Sequence, residues 1–422
     1  MSIPSILGIL VIFATIYFLI KRYESRLVLF VAGLVLALIA GNPLIAFNAF
    51  SKAMTNAKLL EPIVASMGFA FVLKSTKCDQ HLVHFLAGGL KKIGPIIIPG
   101  AVLVTAFINI SVTSASGCSA AVGAVLIPLL MRAGVHPAMA AAAVFAGTYG
   151  SPNVNPGYAQ VIVVADAAKS TPLEVIANQA TPFLISAVIM AILLAVIAFW
   201  RKEHKGYELN DQNEEHFKVN LLKAIVPLIP LILLLVGSTG MVGALKKLAI
   251  SHAMIMGTIV AWAVTFESPQ KIAKEFFHGV GDAFGHVYGI IICSLIFVAG
   301  LDGVGLIKSL ISIMDANVNI AKISGTVGPF LLAVVTGSGD AASVAFNTAV
   351  TAHASSFGLI PLNLGSVAAA AGGLGRTMSP IAGAAIICAG YAEVNPMELA
   401  KRNAIPTIIT TVIFSITMLY MR

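Results

Sequence analysis

The second half of this 422-residue chain repeats the first. Residues Ala140 to Pro152 read AAAAVFAGTYGSP, and residues Ala368 to Pro380 read AAAAGGLGRTMSP. Both stretches open on four alanines, carry a glycine at the eighth place (Gly147, Gly375) and close on Ser-Pro (Ser151-Pro152, Ser379-Pro380). Downstream, Pro172, Glu174, Ala180 and Pro182 recur at the same spacing as Pro396, Glu398, Ala404 and Pro406, and upstream Ser116-Gly117 recurs as Ser338-Gly339. A duplicated unit restricts the fold to two similar bodies packed on each other. In an apolar chain, with Gly/Ser/Pro breaks at matching places, this is how secondary transporters are built.

Composition places those bodies in a membrane. Hydrophobic residues make up 58% of the chain and charged residues 10%, with a mean hydropathy of +0.94. A soluble domain carries roughly 25% charge. Runs such as Ile6 to Ile20, Phe183 to Trp200 and Thr407 to Tyr420 suit a hydrocarbon core of about 30 Å. The reading is an all-α, multi-pass membrane protein. No basic segment precedes the first apolar run, so that run is expected to stay as a helix rather than be cleaved as a signal peptide. The four cysteines (Cys78, Cys118, Cys293, Cys388) form no CxxC, and neither a disulfide scaffold nor a metal site is expected. The net charge of +8 comes from short loops, where Lys and Arg set topology, so no nucleic-acid partner is expected.

Loop charge then sets a path. Lys21, Arg22 and Arg26 belong on the cytoplasmic side, as does the polar linker near residues 201–220, which puts the N-terminus outside. Two inverted-topology repeats are expected, residues 1–200 and 221–422, each with three transmembrane helices, a surface helix, a re-entrant hairpin, a broken helix and a final helix. In the first repeat, scaffold helices occupy 1–93, with helices near Leu27 to Ala40 and Leu59 to Leu73. A surface helix falls at Lys77 to Lys92 within that range. The hairpin and broken helix take 94–166, and the last helix 175–200. In the second, scaffold helices occupy 221–320, the hairpin and broken helix 321–391 and the last helix 397–421. The hairpin tips fall at the small-residue knots Ser114 to Ser119 and Thr336 to Asp340. The helix breaks fall at Thr148 to Gly157 and Gly375 to Gly383. Such non-helical backbone is tolerated at membrane depth only inside protein or beside a water-filled cavity. A plain twelve-helix bundle is the alternative.

This arrangement resembles the ion transporter superfamily of elevator-type carriers. Within it, GRTMSPIAG (Gly375 to Gly383), the matching alanine-rich stretch and the TGSGD knot (Thr336 to Asp340) resemble the anaerobic C4-dicarboxylate carriers of the DcuC family. The Ser-Asn-Thr signatures of related sodium-coupled dicarboxylate carriers are absent. The corresponding places read Ser-Ala-Ser-Gly and Thr-Gly-Ser-Gly. The resemblance implies a homodimer, a fixed scaffold, a mobile transport domain and a small dicarboxylate substrate, in the cytoplasmic (inner) membrane of a bacterium.

The residues support an anion site on their own terms. Tips and breaks expose unpaired backbone N–H groups at the start of the following half-helix, where partial positive charge attracts carboxylates. Two repeat-related sets of small polar residues stand there. One is Ser114, Ser116, Gly117 and Ser119 with Thr148, Ser151, Asn153 and Asn155. The other is Thr336, Ser338 and Gly339 with Thr377 and Ser379. The bland reading is that each hydroxyl bonds a carbonyl of its own helix. Arg376, in the second break where the first has Thr148, offers a fork suited to a carboxylate. Its bland reading is a structural pair with an acid or with helix C-terminal carbonyls. Asp340 is expected to meet Arg376, and the pair is a candidate for proton coupling. Its bland role is an N-cap. His286 and His353 read as satisfied core groups, and Glu174 and Glu398 as first-turn acids.

The expected function is therefore C4-dicarboxylate transport of the succinate, fumarate and malate class by alternating access, with proton symport or exchange. No cofactor is expected, and the coupling ion is H+ or Na+. Alternatives are a sodium-coupled carrier of another organic anion or amino acid, or an anion channel. An enzyme using Ser338 as nucleophile lacks a base: His353 lies about four turns along the chain.

Overall fold

The computed structural model describes residues 3–21, 23–90, 96–207, 217–239, 242–245 and 248–421. Arg22, Lys91, Lys92, the expected hairpin start at Gly94 and the middle of the linker (208–216) lie outside the described residues. Every regular element among those described is helical.

Four helices come first: α1 (Ile3–Ile20), α2 (Ser25–Ile39), α3 (Leu44–Met54) and α4 (Ala57–Ser75). The last two form one apolar path bent by 54°, so the span expected from Leu59 is preceded by a separate short helix. Then follow α5 (Cys78–Leu90), α6 (Ile97–Ser111) and α7 (Ala115–Arg132), the last two separated by only three residues. Helix α8 (Pro137–Gly147) ends at a 3-10 turn, Ser151–Val154, before α9 (Ala159–Ala167) and the long α10 (Pro172–Trp200).

The second half runs through α11 (Leu221–Ile225), α12 (Ile229–Thr239), α13 (Ile250–Thr265) and α14 (Pro269–Asp282). A π-helical turn, Ala283–Tyr288, joins α14 to α15 (Gly289–Gly303), and α16 (Leu306–Ala316) follows. Then α17 (Val318–Thr336) and α18 (Gly339–Ala349) repeat the closely spaced pair, α19 (Pro361–Thr377) and α20 (Gly383–Tyr391) repeat the interrupted helix, and α21 (Pro396–Leu419) repeats the long final helix.

Local chemistry explains the starts of these elements. Thr171 and Glu174 form a reciprocal capping box, with Pro172 at the first helical position where its missing N–H costs nothing. In the second half Asn395 caps α21 through the Met397 N–H, again with Pro at the first position and Glu398 in the first turn. Both glutamates are thus first-turn acids.

Five helical stretches among the described residues are long and apolar enough to cross a membrane: Ala115–Arg132, Pro172–Trp200, Pro269–Gly303, Val318–Thr336 and Pro396–Leu419. Large apolar side chains face outward on several helices, for instance Phe13 on α1, Ile192 on α10 and Val412 on α21. In water that surface would be an aggregation liability, but in lipid it is the solvated face.

The inside is built from small residues. Ala140 to Ala143 and Ala368 to Ala371 are all buried, which allows close helix approach. The largest buried cluster joins α5 to α8 and α10 with α19 to α21. A second joins α2 to α4 and α15 with α9 and α18. At one crossing, a Cβ on Gly372 would lie 2.7 Å from the Gly339 carbonyl oxygen, so only glycine permits α18 and α19 to meet there.

Candidate substrate site

A cavity of about 310 Å³ lies where the breaks of both halves meet, within the lower range of small-molecule sites. Thr113 to Ser116, at the α6–α7 junction, form one wall. Gly337 to Asp340, at the α17–α18 junction, form another. Tyr158 and Ala159 at the start of α9, Gly383 and Ala384 at the start of α20, and Arg376 near the end of α19 complete this side. The rest of the lining comes from Ile63, Ser66 and Met67 of α4 with Asp282, His286 and Val287 around the π-helical turn.

Four helix starts therefore border one small space: α7, α9, α18 and α20. Each presents backbone N–H groups without intrahelical partners and a share of positive dipole. Two of these starts have hydroxyl caps. The Ser114 hydroxyl accepts from the Gly117 N–H at 3.1 Å, and the Ser338 hydroxyl accepts from the Ala341 N–H at 3.2 Å. The turn before Ser338 needs Gly337, whose φ of +73° is a left-handed conformation.

Arg376 is bonded at one nitrogen and unpaired at another. Its Nη2 donates to the Thr148 carbonyl, while the buried Nη1 has no hydrogen-bond partner among the described residues. A desolvated guanidinium N–H without an acceptor is costly, and a ligand oxygen in the cavity would relieve that cost.

The expected pairing of Asp340 with Arg376 does not occur. No salt bridge joins the two among the described residues, although both line the cavity. Asp340 Oδ1 instead accepts from the Tyr158 hydroxyl and from Gln160 Nε2, both at 2.5 Å. Two donors from α9 satisfy the carboxylate, and Arg376 finds the carbonyl at the end of α8. Nor is Asp340 the N-cap of α18: Ser338 caps it, and Asp340 lies inside the first turn.

Of the remaining predicted residues, Ser114, Ser116, Ser338 and Gly339 line the cavity. The others stand behind it. Thr148, Thr336 and Thr377 hydroxyls donate to carbonyls of their own helices, at Phe145, Leu332 and Leu374. Ser151 donates to Asn109 Oδ1 at 3.1 Å, and Asn155 Nδ2 donates to the Ile110 carbonyl at 2.6 Å, so the first break is tied to the end of α6. Asn153 Nδ2 donates to the Gly150 carbonyl at 2.9 Å. Ser119 and Ser379 are buried; Ser119 packs beside Cys388, and the Ser379 hydroxyl has no partner among the described residues. Gly117 supplies the N–H that Ser114 caps and does not line the cavity.

Three cavity residues had no place in the sequence analysis, Ser66, Tyr158 and Asp282, and neither did Gln160, which bonds Asp340 beside the cavity. His286 is not a core group. Its side chain is 67% exposed, and its Nε2 lies 3.6 Å from Asp282 Oδ1. His353 is also exposed. Tyr158 and Gln160 follow the first break directly, which was the available signal. The Asp282–His286 spacing of one helical turn was another. Among the described residues, no group of three or more His, Cys, Asp or Glu is arranged to hold a metal ion.

Comparison with known proteins agrees with this architecture. Residues 3–422 match the family described as the C4-dicarboxylate anaerobic carrier, DcuC. An uncharacterized transporter of Haemophilus influenzae is 40% identical over 273 residues, covering 62% of this chain and 98% of that protein. The anaerobic C4-dicarboxylate transporter DcuC of Escherichia coli K12 is 27% identical over 449 aligned residues, covering 97% of this chain and 95% of that one. Among solved structures, Neisseria gonorrhoeae MtrF, reported as illuminating a class of antimetabolite efflux pumps, superposes with a TM-score of 0.67 at 12% identity, covering 99% and 95% of the two chains. The Alcanivorax borkumensis YdaH transporter gives 0.64 at 13% identity, covering 99% and 97%. The relatives are carriers, and this chain is a transporter rather than an enzyme.

Proposed function

The chain belongs to the C4-dicarboxylate anaerobic carrier family, and from that premise we propose that it is a secondary active transporter of C4-dicarboxylates in the cytoplasmic membrane of a bacterium. The substrate class is that of succinate, fumarate and malate. The observation that carries the proposal is the unpaired Nη1 of Arg376, a residue lining a cavity bordered by four helix N-termini. Such a site prefers an anion, and a guanidinium fork prefers a carboxylate. Further hydroxyls at Ser114, Ser116 and Ser338 add hydrogen bonds without bulk.

The proposed architecture is two inverted repeats, 1–200 and 221–422, with the N-terminus outside and a linker at 201–220 inside. Scaffold helices come from 1–93 and 221–320. The transport domain comes from the tips, breaks and last helices of both repeats. Hydrogen bonds within that second group support its moving as one body. Arg376 reaches Thr148, Asp340 reaches Tyr158 and Gln160, and Ser151 reaches Asn109. The proposed mechanism is elevator-type alternating access in a homodimer. Coupling is by proton symport or by dicarboxylate exchange, with Asp340 as the proton-carrying candidate. Sodium coupling is the alternative.

The test is uptake of radiolabelled succinate by proteoliposomes, either empty or loaded with fumarate, across pH and sodium steps. Saturable uptake stimulated by internal fumarate and lost in Arg376→Ala is the expected result. Uptake that neither saturates nor responds to internal fumarate would indicate a channel. No uptake by folded protein under any gradient would remove the substrate assignment.

A further inference from the structure

Part of the cavity lining comes from elements outside the tips and breaks, α4 and the π-helical turn, and its polar side chains there are Ser66, Asp282 and His286. Of these, only His286 can carry positive charge. It sits in the π-helical turn Ala283–Tyr288. Such turns insert an extra residue per turn, redirect side chains and recur at functional sites. Here the turn is pinned from both sides. Arg26 Nη1 donates to the Gly285 carbonyl at 2.5 Å, and the Tyr288 hydroxyl donates to the Ala53 carbonyl at 2.5 Å. The result is a rigid mount for an imidazole that is 67% exposed in an otherwise apolar stretch. His286 also lines an adjoining cavity of about 120 Å³, shared with Gln160, Ser338 and Asp340.

We propose that His286 is a specificity-determining residue of the site, its imidazole meeting the substrate carboxylate that Arg376 does not hold. The inference rests on the dicarboxylate reading above and deepens it. A monocarboxylate fills the Arg376 end only. A dicarboxylate spans the cavity and gains a second ionic hydrogen bond. The other charged or titratable groups facing His286 are Asp282 beside it, Asp340 from α18, Tyr158 from α9 and Arg376 from α19. Arg26 of α2 is engaged by Glu24 and by the Gly285 carbonyl. Asp282 Oδ1 lies 3.6 Å from the imidazole Nε2, and both acids oppose a carboxylate that arrives without a cationic partner. Discrimination therefore falls to His286.

The experiment compares wild type with His286→Ala, His286→Gln and His286→Arg in proteoliposomes, using labelled succinate with unlabelled succinate or butyrate as competitor. Loss of one ionic hydrogen bond predicts that the KM for succinate rises about tenfold or more in His286→Ala. Butyrate competition stays as in wild type, so the preference for two carboxylates shrinks by that factor. His286→Arg restores most of the preference, and His286→Gln falls between. A purely structural role would not move this ratio. A measurement on the unmutated carrier stands beside it: succinate, and not butyrate, protects His286 from carbethoxylation, read by mass spectrometry of its peptide. Wild-type succinate uptake with unchanged discrimination in the variants, or with no protection of His286, overturns the assignment alone. No succinate uptake by the wild type overturns the dicarboxylate reading, and this assignment with it.

Discussion

Arg376 shows how one side chain can be both structural and functional. One arm is spent on the Thr148 carbonyl and the other, though buried, has no partner among the described residues. Arg376→Ala loses both, whereas Arg376→Lys keeps a charge but has no fork. Succinate uptake is expected to fall about a hundredfold in the alanine variant, and by about tenfold in the lysine variant through KM. Equal uptake by wild type and Arg376→Lys would mean that fork geometry is irrelevant. Asp340→Asn is expected to keep succinate binding while flattening the pH dependence of uptake, and a wild-type pH profile in that variant would dismiss Asp340 as the proton carrier. The sequence marked the residue types at the breaks but not their partners. Thr148, Thr336 and Thr377 each found a carbonyl three or four residues back on their own helices, an option open to any helical Thr. Asp340 took α9 donors because tertiary packing brings Tyr158 and Gln160 to it across 182 and 180 residues of sequence.

Between elements, the strongest polar tie lies outside the cavity, where α21 meets the residues just after α10. Arg402 is 3% exposed and donates from Nη2 and Nε to the two carboxylate oxygens of Glu203, at 2.5 and 2.8 Å. Its Nη1 donates to Glu398 at 2.8 Å. Removing one partner from a buried pair leaves the other charge stranded, so Arg402→Ala is expected to destabilise the fold by about 3 kcal/mol or more, measured as thermal unfolding in detergent. Glu203 adds a pH signature. Burial raises its pKa, but hydrogen bonds from Arg402 and Arg201 outweigh that, and the carboxyl ends below its ordinary value of 4.5. A folded pKa below the unfolded one means that the unfolded chain binds the extra proton as the solution acidifies. The stabilisation is full above about pH 4.5 and is lost as pH falls through the depressed folded value. Glu203→Gln should flatten the acid side of a stability–pH curve, and an unchanged acid limb would show that the pair contributes nothing. Gly372→Val is expected to part α18 from α19, since its side chain would enter the Gly339 carbonyl, and uptake should fall while the protein still reaches the membrane. At this scale the sequence was most legible. Pro172 and Pro396, and the Gly/Ser knots, mark element starts through backbone chemistry that neighbours cannot change. The bend between α3 and α4 was invisible, because no Pro or Gly stands at Thr55-Asn56, and the π-helical turn was invisible because a lone Gly285 in an apolar helical stretch does not by itself mark one.

At the scale of the whole molecule, the cavity is a seam between two groups of helices. Tips and breaks supply Ser116, Ser338 and Arg376, and α4 with the π-helical turn supplies the facing wall. The repeat made the first group legible, because duplicated breaks can be aligned with each other. The facing wall has no such internal copy to compare, and so Ser66 and His286 were missed or misread. If the first group slides along that wall, a probe carried on it must change sides. Ser116 is a suitable place: it lines the cavity and is partly exposed. The native thiols Cys78, Cys118 and Cys388 are buried, so replacing the partly exposed Cys293 by serine leaves a quiet background. Ser116→Cys in that background is expected to react with a membrane-impermeant maleimide from either side of sealed vesicles, and saturating succinate should slow labelling severalfold from both. Alternating access requires that two-sided reactivity, since one residue at one site must visit both faces. Labelling from one face only, unaltered by succinate or by the direction of its gradient, would contradict a moving transport domain. The cavity would then be a fixed binding pocket, open on a single side.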